Sequence, residues 1–442
     1  MNQRRYWLET LGCPKNEVDS AKLVGQLLAD GYVEAEEPSE ADLVVVNTCA
    51  FIEAAREESI EAVLNLAEER TDGARLVVTG CMAERYGQEL ADALPEVDLV
   101  AGFGASLTGT SSTRVSLGAK PDTRAEPTLL DLPRTLPAGP VAYVKAAEGC
   151  DRRCGFCAIP SFRGDQRSRS APSILAEVEG LVDGGTKEIV LIAQDLASWG
   201  LDRRAVGDEG PLEILDLGPE APLQPLPSLV KALSDAAERV RLLYLYPSGL
   251  TQALIEAILA TGVPYFDLSL QHASPRHLRR MRRWGSAERF LERIAAIRAA
   301  EPTATFRSSF ILGYPGETEE DHDELLAFLD AAQLDWAGFF PFSPEQGTYA
   351  ADLDDQVADE LALERLREAS ERQDGITLQR REALVGQNRE VLVDSPGSAR
   401  SSGEAPDIDG IIVVPDAVPV GSLVTVTITE SLGFDLVGEP VS

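Results

Sequence analysis

Three apolar runs in the first hundred residues follow one plan. YWLETLG runs into Cys13, DLVVVNT into Cys49 and ARLVVTG into Cys81, and a helix-like segment follows each cysteine. Strands that alternate with helices imply a parallel sheet, because a parallel neighbour is reached only by a long crossover. In such a sheet the carboxyl ends of the strands share one edge, and ligands gather there. Three cysteines far apart in sequence are therefore predicted to meet. The segment from about Asn16 to Asp30 carries Val18, Leu23, Val24, Leu27 and Leu28 at helical spacing and is expected to stop at Gly31.

From about Ser106 to Gly139 this alternation gives way to Gly, Ser, Thr and Pro, closing with LPRTLPAGP, which reads as a linker. A second alternating region follows, with candidate strands VAYVKAA from 141, KEIVLIA from 187, RLLYLY from 241, YFDLSL from 265, ATFRSSFIL from 304 and WAGFFPF from 336. Six strand-helix units suggest an incomplete parallel barrel, whose site-forming positions lie just after the strands. Those positions hold Cys150, Gln194 and Asp195, Pro247, Gln271 and His272, the GYPGET segment from Gly313, and Ser343. The stretch from Asp202 to Pro227 reads as an irregular excursion with no assigned role. A charged helix is expected around Val357 to Gln373, and then REVLVDS, GIIVV and LVTVTITES suggest a small antiparallel barrel. The expected fold class is α/β multidomain: a parallel α/β sheet domain over 1–118, a linker over 119–138, an incomplete (β/α)6 core over 139–371 and the small β-barrel over 372–442.

A chain of 442 residues can bury several cores and needs no covalent staples. It shows no amino-terminal apolar run behind a basic cap and no apolar stretch of membrane-spanning length, so a cytoplasmic protein without a membrane partner is expected. In that reducing compartment a cysteine cluster points to a metal or catalytic site. Lys and Arg number 40 against 73 Asp and Glu, a formal charge of −33. Such a chain repels nucleic acid and attracts a basic protein. The stretch from Asp374 to Ser442 has four Arg against eleven acids, and Phe434 is its one aromatic residue. A nucleic-acid barrel needs a cationic groove and stacking rings. The acids of this module, among them Asp407, Asp409 and Asp416, are expected to attract a basic partner instead.

Half of the six cysteines fall within GCDRRCGFCAIPSFRG, at 150, 154 and 157. Three thiolates spaced CxxxCxxC on one loop can each take a different iron of a cubane cluster and leave the fourth iron open to substrate. A structural zinc site closes with four ligands, and this loop has three cysteines and no nearby histidine. Cys13, Cys49 and Cys81 could be three buried thiols acting as small apolar residues. Their succession at strand ends is better read as a second cluster with three cysteine ligands.

CxxxCxxC at the end of a first barrel strand, with Phe156 just before the last cysteine, resembles the radical S-adenosylmethionine (SAM) enzymes. That resemblance implies that the open iron chelates the amino and carboxylate groups of SAM, and that the reduced cluster splits SAM to a 5′-deoxyadenosyl radical. The two halves together resemble the methylthiotransferases, in which a domain with an auxiliary cluster precedes a radical SAM core and a small barrel called TRAM. LGCPKNEVDS at 11, EGCDRRCGFCAIPSFRG at 148, LLYLYPSGLT at 242, LSLQHASPRHLRRMRR at 268, FRSSFILGYPGETEED at 306 and APDIDG at 405 look like the RimO branch. That branch modifies a small-subunit ribosomal protein on the β-carbon of an aspartate, and its sister branch, MiaB, modifies an adenosine in transfer RNA. The resemblance implies two 4Fe-4S clusters, on Cys13, Cys49 and Cys81 and on Cys150, Cys154 and Cys157. It also implies SAM contacts at Phe156, Gln194, Gly313 and Glu317, no catalytic side chain beyond the cluster ligands, and an electron donor such as flavodoxin or ferredoxin.

Two arginine groups flank the expected site: Arg152, Arg153, Arg163, Arg167 and Arg169, and Arg276, Arg279, Arg280, Arg282 and Arg283. They are read either as solvated faces or as forks for the carboxylates of SAM and of a substrate aspartate. His272 and His277 are expected to be structural or to position substrate, since radical chemistry demands no proton transfer by histidine. Two other readings remain open on sequence alone: a MiaB-like enzyme acting on transfer RNA, and a non-enzymatic cysteine-rich metal-binding adaptor.

Overall fold

The computed structural model describes residues 3–108, 130, 132–204 and 224–441. Most of the expected linker and most of the Asp202 to Pro227 excursion lie outside those residues. The described chain divides into two compact units. The first comprises residues through Leu136, with Glu148–Asp151 and Ala158–Arg169; the second comprises Pro137–Ala147, Arg152–Cys157 and the chain from Ser170 onward.

The first unit is built on five parallel strands, β1 (Arg5–Thr10), β2 (Val33–Glu34), β3 (Leu43–Thr48), β4 (Arg75–Gly80) and β5 (Leu99–Val100), in the order β2-β1-β3-β4-β5. Helices α1 (Pro14–Ala29), α2 (Glu53–Glu69) and α3 (Cys81–Ala93) form the crossovers after β1, β3 and β4. Every residue of β3, LVVVNT, is buried, as expected of a β-branched run between two helical layers. Alternate residues of β3 serve opposite faces. Leu43 and Val45 pack with Leu23 and Leu27 of α1, while Val44 and Val46 pack with Val63 and Leu66 of α2 and Leu90 of α3. Proline at its first position starts α1, and Gly31 at φ +84° follows its carboxyl-terminal cap Asp30.

In the second unit six parallel strands, β6 (Val141–Lys145), β9 (Glu188–Ile192), β10 (Arg239–Leu242), β11 (Tyr265–Gln271), β12 (Thr305–Leu312) and β13 (Trp336–Pro341), coincide with the six apolar runs. Two short strands, β7 (Ala147–Glu148) and β8 (Arg167–Ser168), flank the clustered cysteines in sequence. The six form two three-stranded sheets, β10-β9-β6 and β11-β12-β13, joined by a parallel bridge between Leu245 and Leu268. Spatial order thus follows chain order, and among the described residues β6 and β13 do not pair, which leaves the barrel open as expected. Val144, Leu191, Leu242, Phe266 and Phe310 from the strands and Ile174, Leu229, Ile258 and Leu325 from the helices fill its core. The charged helix runs from Asp359 to Glu382, nine residues past its expected end, through Asp374 and Gly375. Burial of Ile376, Thr377 and Arg381 outweighs the roughly 1 kcal/mol that glycine costs inside a helix.

The terminal barrel, β14 (Asn388–Ser395), β15 (Ser398–Arg400), β16 (Ile412–Val413), β17 (Leu423–Leu432) and β18 (Asp435–Pro440), closes in the order β14-β15-β16-β18-β17 around Val391, Val393, Ile412, Val426 and Leu436. The pairing of β16 with β18 is parallel and the other four are antiparallel.

Side chains of the (β/α) strands and of the long helix hold this barrel largely by its main chain. Arg239 donates to the carbonyls of Arg400 and Glu390 at 3.2 and 3.1 Å, and Arg241 to those of Ser402 and Ser401 at 3.1 and 3.3 Å. Trp336 reaches the carbonyl of Gly403 at 2.8 Å, Tyr143 that of Pro406 at 3.1 Å and Arg381 that of Phe434 at 2.8 Å. Glu188, fully buried, lies 2.6 Å from Arg241 and 3.4 Å from Arg400. Burial alone would raise its carboxyl; the two guanidinium groups overcome that and hold it down at about 2.

One of the acids expected to face a partner, Asp409, is buried in this joint instead, and a second, Asp407, bonds to the joint while staying exposed. The Asp409 side chain is 1% exposed, accepts hydrogen bonds from the Tyr265 hydroxyl and the Ala405 amide, and lies 3.4 Å from Arg307. Burial pushes its carboxyl up to about 6. Asp407 accepts from the Tyr143 hydroxyl at 2.8 Å. Asp416 is exposed, as expected. Among the described residues no helix is long and apolar enough to cross a membrane.

Candidate functional site

Cys13 caps the amino terminus of α1, Cys49 follows β3, and Cys81 is the first residue of α3, so the three lie at the carboxyl edge of the first sheet. Helix amino termini present free amides and the positive end of the helix dipole, which suits thiolate ligands. Two glycines make the edge possible. Gly12 sits at φ +94°, where a Cβ would come within 2.8 Å of Cys49 Cβ. At Gly80, φ +92°, a Cβ would lie 2.3 Å from Asn47 Oδ1 and 2.6 Å from the Thr48 carbonyl.

Asn16 ties these strand ends together. Its amide donates to the carbonyls of Leu11 at 2.8 Å and Thr48 at 3.1 Å, and its own carbonyl accepts from Asn47 at 2.9 Å. Ser59 on α2 accepts from the Cys49 amide at 3.1 Å and donates back to the Cys49 carbonyl. Burial pushes the Cys49 thiol up to about 11, and Cys81 and Cys13 add to the shift by mutual repulsion of thiolates. Burial also raises the Cys81 thiol, with Arg163 pulling the other way. Arg163, itself buried, donates to Cys81 Sγ at 2.9 Å. Burial and the neighbouring sulfurs disfavour thiolates here and Arg163 favours them, so three close sulfurs of this kind fit a group that itself brings positive charge to them. Among the described residues no three His, Cys, Asp or Glu side chains are arranged to hold a single metal ion. A cubane asks for less convergence, since its irons are separated and each takes one thiolate.

The second cysteine set begins with Cys150 in the first unit and continues with Cys154 and Cys157 in the second. None of the six forms a disulfide. The Cys150 amide donates to the Gly164 carbonyl at 3.0 Å, and the Cys157 amide to the Cys154 carbonyl at 3.3 Å. Gly155 is pinned on both sides, to the Met281 carbonyl and from the Ala350 amide, each at 2.8 Å. Arg283 donates to Cys154 Sγ at 3.2 Å, so each cysteine set has a sulfur accepting from an arginine. Arg283 also stacks on Tyr246, with its Cζ 4.0 Å from the ring centre, and Arg152 stacks at 3.9 Å while pairing with Asp195 at 2.7 Å.

The other expected residues are placed as follows. Phe156 packs partly buried against the barrel core, and Gln194 follows β9. Gly313 follows β12, and its amide donates to the Glu317 carboxylate. Glu317 is turned inward, 3.7 Å from both Arg365 and His272. His272, His277 and His322, the three histidines of the chain, are all buried in this region, with the rings of His272 and His277 4.5 Å apart. Gln271 and Tyr244 hold φ of +73° and +64° at the ends of β11 and just beyond β10, the kind of backbone strain that collects at functional sites.

Arg153, Arg276, Arg279 and Arg282 are exposed, and several of the ten arginines are engaged within the protein. Arg276 pairs with Asp321, Arg280 with Asp355, and Arg282 stacks 3.8 Å from the Tyr349 ring centre, while Arg163 and Arg169 are buried. Asn16, Ser59 and Tyr246 were missed as site residues, although LGCPKNEVDS and LLYLYPSGLT contain two of them. A polar residue three places after a strand-end cysteine, facing back to the sheet edge from the first helical turn, is the signal that could have found Asn16.

Comparison with known families gives three matches along the chain. Residues 5–102 match a family described only as the uncharacterized protein family UPF0004, residues 144–329 the radical SAM superfamily, and residues 385–441 the TRAM domain. A parallel sheet with three edge cysteines, a CxxxCxxC barrel and a TRAM barrel, in this order, define a radical SAM enzyme of the methylthiotransferase class. The chain is 41% identical to ribosomal protein uS12 methylthiotransferase RimO of Salinispora tropica, over 99% of this chain and 95% of that protein. It is 42% identical to the RimO protein of Moorella thermoacetica, over 97% of this chain and 98% of that one. The chain belongs to the RimO family, and with it to the enzymes that use SAM and a 4Fe-4S cluster. Among solved structures, the radical SAM methyltransferase TsrM of Kitasatospora setae aligns with 94% of this chain and 82% of that chain at 15% identity and a TM-score of 0.48.

Proposed function

We propose that this chain transfers a methylthio group to the β-carbon of an aspartate in the small-subunit ribosomal protein uS12, working in the cytoplasm with an electron donor such as flavodoxin or ferredoxin. The reading rests above all on the presence of two cysteine sets, each with a sulfur accepting from an arginine, in a member of the RimO family. Cys150, Cys154 and Cys157 would hold the cluster that acts on SAM, and Cys13, Cys49 and Cys81 a second cluster. When bound, these groups supply the electron that splits SAM and the site from which sulfur is delivered. The carbon to be modified is unactivated, so removing its hydrogen calls for a radical rather than a general base.

The chain's own residues then have separable tasks. Gly12 and Gly80 let the strand ends approach, and Asn16 fixes the edge on which three sulfurs sit. Arg283, stacked on Tyr246 as Arg152 is, holds positive charge beside Cys154. Phe156, Gln194 and the Gly313 turn would border SAM, with Glu317 fixing that turn through the Gly313 amide. We place the functional domains at 1–118, 139–371 and 372–442, joined by a linker over 119–138. The charge of −33 favours a basic protein substrate over transfer RNA.

The test replaces each cysteine set with alanine in the full chain. Replacing Cys150, Cys154 and Cys157 should abolish SAM cleavage and leave about half of the bound iron. Replacing Cys13, Cys49 and Cys81 should preserve cleavage to 5′-deoxyadenosine and stop methylthiolation of purified uS12, read by mass spectrometry. Methylthiolation of transfer RNA by the unaltered enzyme, with none of uS12, would favour the MiaB-like reading.

A further inference from the structure

Arg163 ends α4 (Ile159–Arg163), six residues beyond Cys157, yet its guanidinium serves the other cysteine set. It is 4% exposed, and its fork is divided. Nη1 lies 2.8 Å from Glu148 Oε1 and 3.5 Å from Asp19 Oδ2; Nη2 lies 2.9 Å from Asn16 Oδ1 and 2.9 Å from Cys81 Sγ. Its Cζ stands 4.6 Å from the centre of the Phe103 ring. A guanidinium needed only for charge balance would be complete with the two carboxylates. Here half of the fork points at a sulfur, and Asn16, itself anchored to the ends of β1 and β3, keeps that half from turning away.

A hydrogen bond to a ligating thiolate withdraws electron density from the sulfur and places positive charge beside the metal group. Both effects favour the reduced, more negative state, and hydrogen bonds to sulfur are among the determinants of cluster potential. We infer that Arg163 sets the reduction potential of the cluster on Cys13, Cys49 and Cys81 through its bond to Cys81. It is a positioning residue for the sulfur-delivering site, contributed by the segment that follows the CxxxCxxC loop. The inference rests on the reading of those three cysteines as cluster ligands.

The experiment uses the full chain with Cys150, Cys154 and Cys157 replaced by Ala, reconstituted anaerobically with iron and sulfide, so that one cluster remains. Its midpoint potential is measured by dithionite titration followed by electron paramagnetic resonance. Two variants are compared with this parent: Arg163→Lys, which keeps the charge and loses the fork, and Arg163→Gln with Glu148→Gln, which keeps the local charge balanced and protects the fold. The balanced pair should shift the one-electron equilibrium at least tenfold toward the oxidised state, a lowering of about 59 mV. Arg163→Lys should shift it in the same direction by less. An unchanged potential in fully loaded protein overturns the inference, as does folded variant protein that no longer holds the cluster, since Arg163 would then serve assembly and not potential. A parent that binds no cluster overturns the cluster reading itself, and that failure is distinct because it occurs with Arg163 intact.

Discussion

Replacing Gly80 with alanine tests the sheet edge most directly. At φ +92° and ψ −159° the residue occupies a region that is essentially restricted to glycine, which costs another residue about 1–3 kcal/mol. The added methyl would lie 2.3 Å from Asn47 Oδ1, 2.6 Å from the Thr48 carbonyl and 2.7 Å from the Thr48 amide. Two of these three atoms are backbone of β3, which pairs with β4 at Thr48 and Gly80, so no rotamer change relieves them. Overpacking of this kind costs about 1–3 kcal/mol more. The sum, about 2–6 kcal/mol, is a large part of the stability of an ordinary domain. The route to relief is to move the end of β4 away from β3, which breaks the Thr48 hydroxyl bond to the Thr79 carbonyl at 2.6 Å and carries Cys81 with it. Gly80→Ala should therefore lower the urea midpoint of the first unit and release the iron bound there, while SAM cleavage by the CxxxCxxC set continues. Unchanged midpoints together with a full complement of iron would refute the argument that the edge depends on this close approach.

Two further expectations follow from buried charge. His277 is held down at about 2 by burial, with His272 adding to the shift, so between about pH 2 and 6.5 the unfolded chain takes up a proton that the folded chain refuses. Its contribution is complete above pH 6.5 and falls as pH drops, by about 1.4 kcal/mol per unit; urea titrations from pH 7 to 5 should show that slope in the parent and its loss in His277→Phe. Asp409→Lys should destabilise the barrel joint by about 3–5 kcal/mol by facing Arg307 with a second cation, whereas Asp416→Lys, at an exposed position, should stay within about 0.5 kcal/mol by thermal denaturation.

Much of this architecture can be read from short-range pattern. The valine run of β3 and the regular return of apolar segments report strands because burial between two layers demands them, and parallel pairing then puts Cys13, Cys49 and Cys81 on one edge without further information. Partner choice is less visible. Arg163 looks like one more cation near a loop, and the carboxylates it faces, at positions 19 and 148, are assigned only by the fold. Asp409 lies in APDIDG, a polar loop sequence, and only its contacts with Tyr265 and Arg307 reveal it as buried. Asp374 and Gly375 read as a helix end, yet the packing of Ile376 carries the helix through. In the terminal barrel, no local signature distinguishes the parallel pair β16 and β18 from its antiparallel neighbours.

The attachment of that barrel has an evolutionary corollary. Arg239, Arg241, Trp336, Tyr143 and Arg381 grip carbonyl oxygens along 400–403 and at Glu390, Pro406 and Phe434. A carbonyl is the same whatever residue bears it. Mutation can therefore replace the side chains on the outward face of the barrel while the grip beneath stays as it was.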